Sequence, residues 1–85
     1  MLKILLVDDE ATEREGIEFL IKRYEFPLNI AKAVNGKEAL ELNREFNPDI
    51  IIMDIKMPGI NGIKALELIK NENPNKEIIM LTAYD

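Results

Sequence analysis

Four short apolar runs punctuate the chain, and between them the apolar residues recur at helical spacing. Leu2 to Val7 is apolar apart from Lys3 and stops at Asp8, Asp9 and Glu10, which predicts a first strand. Ala11 to Tyr24 changes period: Ile17, Leu20, Ile21 and Tyr24 fall at i, i+3, i+4 and i+7, an amphipathic helix that ends before Pro27. Thr12 with Glu15 offers that helix a capping box, the acids ahead of it offer another cap, and Gly16 weakens it slightly. Leu28 to Val34 reads as a strand diluted by Asn29 and Lys32, as suits a sheet edge. Asn35-Gly36 turns the chain, and Lys37 to Phe46 resumes helical spacing through Ala39, Leu42 and Phe46 until Asn47-Pro48 closes it.

The segment Asp49-Ile50-Ile51-Ile52-Met53-Asp54 organises the rest. Its four consecutive apolar residues, three of them β-branched, lie between Pro48 and Pro58-Gly59 and predict a strand buried on both faces. Such a strand implies a parallel sheet with helices above and below. A loop with one Pro and two Gly follows, then a helix from about Ile63 to Asn71 that buries Leu66 and Ile69. Asn73-Pro74-Asn75 breaks that helix, and Ile78 to Leu81 predicts a fourth buried strand leading into Thr82-Ala83. Strand and helix alternate throughout the 85 residues, so the expected class is a single α/β domain with right-handed crossovers.

Composition narrows the chemistry. A formal charge of −5 with no cluster of Lys and Arg argues against a nucleic-acid surface on this chain, since phosphate neutralisation needs such a cluster. Without Cys there is no disulfide and no thiolate site. Without His the chain lacks the commonest general base and transition-metal ligand, which leaves carboxylates and hard, oxygen-preferring cations such as Mg²⁺. No apolar run reaches membrane-spanning length and no leader is evident, so the expectation is a cytoplasmic chain without membrane contact.

In an open parallel sheet, ligands gather outside the carboxyl ends of the strands. The predicted strands bring Asp8 and Asp9, Asp54, and Thr82 to that end. Grouped carboxylates raise one another's pKa unless a cation compensates, and Mg²⁺ held by carboxylate and backbone oxygens leaves room for phosphate oxygens. One aspartate can then act as nucleophile toward an activated phosphoryl group. Singly, each residue has a plainer reading: Asp8 and Asp9 as helix caps, Asp54 as the polar end of a strand, Thr82 as an ordinary β-branched residue. Met53, Met57 and Met80 read as gap-filling core residues.

Val7-Asp8-Asp9-Glu10, Asn35-Gly36 with Glu38-Ala39-Leu40, Met53-Asp54-Ile55-Lys56-Met57-Pro58-Gly59 with Gly62, and Leu81-Thr82-Ala83 together resemble the receiver (CheY-like) domain of two-component response regulators. The resemblance runs from Leu2 to Ala83. It implies a flavodoxin-like, doubly wound parallel sheet of strand order 2-1-3-4, incomplete because the fifth strand is missing, with residues 1–85 forming the N-terminal part of the domain. It implies that Asp54 is the phosphoacceptor for a sensor histidine kinase. Mg²⁺ would be held by Asp8, Asp9, Asp54 and the backbone carbonyl of Lys56, with Asp9 more direct than Asp8, and Thr82 would supply the switch hydroxyl.

By the same resemblance the chain is a signalling switch rather than an enzyme, and it reaches DNA only through an output domain that it does not contain. Arg14-Glu15-Gly16 is similar to regulators whose output domain is of AraC type. The family's fifth-strand lysine has no counterpart in these residues, and the fourth strand is left with a free edge. An alternative is therefore a non-catalytic association module, a homo-oligomer made by edge-strand pairing or domain swapping. A third reading, an Mg²⁺-dependent hydrolase using an aspartyl-phosphate, is weakened because Lys56 stands two residues after Asp54, where a second acid would be needed.

Overall fold

The structure, a computed structural model, describes residues 1–55, 57, 59 and 61–81. Strands and helices alternate as β1 (Leu2–Val7), α1 (Ala11–Lys22), β2 (Leu28–Ala33), α2 (Gly36–Phe46), β3 (Ile50–Asp54), α3 (Gly62–Glu72) and β4 (Glu77–Leu81). The strands form one parallel sheet in the order β2-β1-β3-β4, with Val7 of β1 level with Ala33 on one side and Met53 on the other. This is the flavodoxin-like 2-1-3-4 arrangement expected from the sequence. The chain leaves β1 in one direction through α1 and later returns past it to β3, so the crevice between the carboxyl ends of β1 and β3 is the switch point of the sheet.

Alternation along the strands divides the apolar residues between two faces. Leu5, Val7, Ile51 and Met53 meet Ala39 of α2 with Ala65 and Ile69 of α3 in a buried core. Ile4, Leu6, Ile50, Ile52, Ile79 and Leu81 alternate to the opposite face, where α1 is the helix present among the described residues. Ile4 and Leu6 are buried there, Ile50 and Ile52 are half-buried, and Ile79 is 50% exposed. β3 is thus buried on one face and half-covered on the other, rather than buried on both as its apolar run predicted. β4, also expected to be buried, is an edge strand with no fully buried residue. An apolar run reports what a strand needs, whereas its cover depends on the neighbours that reach it.

α1 shows the same effect. Arg14, Ile17, Glu18 and Ile21 are half-buried, whereas Leu20 and Tyr24, predicted for the same face as Ile17 and Ile21, are 59% and 67% exposed. Glu18 ties the helix to β2 by bridging Lys22 at 2.7 Å and Lys32 at 2.6 Å. α1 begins with Glu10 at its N-cap and no side-chain cap, so neither Thr12 nor the preceding acids close it in the expected way. α2 and α3 are capped by asparagines: Asn35 Oδ1 accepts from the Glu38 N–H at 2.8 Å, and Asn61 Oδ1 from the Lys64 N–H at 2.9 Å. Asn47, with φ at 49°, ends α2 in the left-handed conformation.

Candidate functional site

β1 runs out into Asp8 and β3 ends in Asp54, and because these strands are direct neighbours their carboxylates emerge side by side at the switch point. The Asp8 N–H continues the sheet by donating to the Ala33 carbonyl at 3.1 Å. Both side chains are buried, Asp8 at 2% exposure and Asp54 at 7%. Asp8 Oδ1 accepts from the Glu10 N–H at 2.9 Å, and the Asp8 carbonyl accepts from Arg14 Nη1 at 2.7 Å.

A third carboxylate comes from α1. Oxygens of Asp8, Glu13 and Asp54 lie within 4.8 Å of one another. The sequence reading did not single out Glu13. The signal was its place in the first turn of a helix starting just after the acids, because helical side chains lean toward the N-terminus and carry Glu13 back over β1. Hydrogen bonding to Asp8, with the Asp8 charge beside it, pushes the Glu13 carboxyl up to about 7. Glu10 and Asp54 act in the same direction. Asp9 is exposed and stands beside this group rather than in it among the described residues. Lys56 and Thr82, the other two expected site residues, lie outside the described residues.

Between β3 and α3 the described residues include Met57, Gly59 and Asn61. Met57 is buried, Gly59 has a φ of 73°, and the Gly62 N–H donates to the Ile55 carbonyl at 3.0 Å. A cleft of about 400 Å³ opens beside the carboxylates, lined by Asp8, Glu13 and Asp54 at one end and by Gly16, Ile17, Leu20 and Leu81 at the other. Two buried carboxylates with a third against them form a set of hard oxygen donors without nitrogen or sulfur. That chemistry fits a divalent cation of the Mg²⁺ kind, whose charge would offset the repulsion among the carboxylates. No helix of the described residues is long and apolar enough to cross a membrane.

Comparison with known proteins places the whole of this architecture. The family described as "Response regulator receiver domain" matches residues 4–85. The transcriptional regulatory protein LnrK of Bacillus subtilis (strain 168) is 42% identical over 84 residues, covering 99% of this chain and 38% of LnrK. The chain therefore spans about two fifths of the length of LnrK and of its Bacillus subtilis relative YdfI. Among solved structures, response regulator protein TrrA of Thermotoga maritima, in complex with Mg²⁺-BeF, superposes with a TM-score of 0.91 at 39% identity, over 100% of this chain and 72% of that one. A two-component transcriptional regulator AraC from Clostridium phytofermentans ISDg superposes with a TM-score of 0.87 at 28% identity, over 100% of this chain and 69% of its own.

Proposed function

The chain belongs to the response regulator receiver family, and we propose that it serves as the N-terminal part of a receiver domain in which Asp54 accepts a phosphoryl group from a sensor histidine kinase. The observation that carries this reading is the burial of Asp54 at the switch point, at 7% exposure, with Asp8 alongside. In the transfer, an Asp54 carboxylate oxygen bonds to phosphorus as the P–N bond of phosphohistidine breaks, and the electron pair stays on the imidazole. Asp8 and Asp54, with Asp9 at the rim and the Lys56 carbonyl, are the proposed Mg²⁺ ligands. A bound Mg²⁺ would neutralise charge on the carboxylates and on the phosphoryl oxygens. Thr82 is the proposed switch hydroxyl. Support for the cation comes from the donor set and from the Mg²⁺-BeF complex of TrrA.

The signalling role also proposed here is transcriptional. LnrK is named as a transcriptional regulator and is more than twice as long as this chain, which leaves room for an output domain that contacts DNA. The AraC relative suggests one type of output domain. The test of the receiver reading is intact mass after incubation with Mg²⁺ and acetyl phosphate, beside Asp54→Asn. One added phosphoryl group, lost in the variant, is expected; a phosphoryl group that persists in Asp54→Asn moves the acceptor elsewhere.

One observation favours a second, compatible reading, a homo-oligomer. Leu20 on α1, Tyr24 just past its end and Ile79 on β4 are all at least half exposed. Apolar side chains beside a strand edge that has no partner among the described residues favour association between copies.

A further inference from the structure

Besides its hydrogen bond with Glu13, Asp8 makes three contacts among the described residues. Its N–H donates to the Ala33 carbonyl at 3.1 Å, its Oδ1 accepts from the Glu10 N–H at 2.9 Å, and its carbonyl accepts from Arg14 Nη1 at 2.7 Å. The first contact belongs to the sheet and the second to the turn. The third crosses from α1 and grips the peptide unit joining Asp8 to Asp9. That unit is planar from Asp8 Cα to Asp9 Cα, so holding its carbonyl fixes the plane in which the chain leaves Asp8 and the place from which the turn to Glu10 starts. Arg14 is half-buried, and its own N–H donates to the Glu10 carbonyl at 3.0 Å, so the residue grasps both ends of the turn.

We propose that Arg14 is a positioning residue of the carboxylate site: by fixing the Asp8 peptide it fixes the orientation in which the Asp8 carboxylate meets Asp54 and a bound cation. The proposal rests on the cation reading above and extends it to a residue that touches no ligand. Groups that orient metal ligands from behind affect affinity by about ten- to a hundredfold. The sign of the effect separates positioning from charge. Removing a positive charge this close to a cation site strengthens cation binding by Coulomb's law, whereas loosening a ligand weakens it.

The test is Mn²⁺ affinity of the 85-residue chain by electron paramagnetic resonance, well below the melting transition, for the wild type, Arg14→Met and Asp8→Asn. Methionine preserves most of the arginine stem and its packing while removing the donor. Arg14→Met is expected to bind Mn²⁺ about tenfold more weakly than the wild type. Should that variant lose its cooperative transition, Arg14→Leu, which also lacks a donor, replaces it under the same criterion. Equal or tighter binding in the Arg14 variant, with binding weakened in Asp8→Asn, overturns the role of Arg14 and leaves the cation site standing. Unchanged binding in Asp8→Asn, or no binding by the wild type, overturns the cation reading and the Arg14 role with it.

Discussion

Gly62 lies flat against the end of β3, where a Cβ on it would collide with the carbonyl oxygen of Asp54 and stand 2.7 Å from Ile55 Cα. The first residue of α3 is thus packed on the peptide that carries the proposed phosphoacceptor, with no room for a side chain. Both atoms it would meet are backbone, so neither can swing aside. Gly62→Ala is expected to push α3 away from β3 and to cost about 1–3 kcal/mol. Urea denaturation reads the cost, and a shifted Asp54 amide resonance reads the displacement; a variant that unfolds with the wild type would show that the loop absorbs a methyl group freely.

Asn43 is buried at 2% exposure between α2 and α3, where its Nδ2 donates to Asn73 Oδ1 at 2.8 Å and its Oδ1 has no partner among the described residues. Removing an unsatisfied acceptor offsets much of what the lost hydrogen bond contributed. Asn43→Leu should therefore change stability by less than about 1 kcal/mol. Asn43→Ala, which leaves a void as well, should be at least about 1 kcal/mol worse than the leucine variant. Thermal melts of the pair check the order, and the reverse order would mean that the amide oxygen is bonded after all.

Hydrogen bonds from Lys22 and Lys32 hold the Glu18 carboxyl below its ordinary value of 4.5. A carboxylate whose folded pKa is depressed contributes stability above its unfolded value, and that contribution disappears as pH falls through the folded value. Both lysines are substantially exposed, so the contribution at neutral pH is at most about 1 kcal/mol. The wild type is expected to be more stable than Glu18→Gln at pH 7, with the gap closing once the pH has dropped well below 4.5. Paired urea titrations across that range measure the gap; a gap independent of pH would assign the effect to something other than the ion pairs.

Self-association should follow from the uncovered side of the sheet. Sedimentation at rising concentration is expected to show the 85-residue chain forming dimers or larger species, and Leu20→Glu should shift it toward monomer by charging the exposed α1 surface. A wild-type chain that stays monomeric and folded at high concentration would sink the oligomer reading.

Much of this molecule was legible in its residues. The period change after Glu10, the Asn35-Gly36 and Pro58-Gly59 turns, and the apolar runs at Leu2 and Ile50 located the strands and helices to within a few residues. Asp8 and Asp54 were legible as residues of one end of the sheet because each closes an apolar run and the carboxyl ends of a parallel sheet all face one way; that their strands are neighbours was implied by the family resemblance. Glu13 was not legible, since one glutamate among several on a polar helix carries no mark until the helix is laid over the strand end.

The sequence by itself determined the α/β class and brought Asp8 and Asp54 to the carboxyl end of the sheet, because period and turn chemistry are local constraints, while the strand order was implied by the resemblance to the receiver family. The tertiary structure alone decided which stripe of α1 contacts the sheet, leaving Leu20 outside and setting Arg14 and Ile17 inward, and ended the helix before Tyr24. It also decided that Arg14 reaches the Asp8 carbonyl and that Gly62 abuts Asp54. Helical spacing marks an apolar stripe but not the rotation of the helix about its axis. That rotation is settled by the packing of all the layers together.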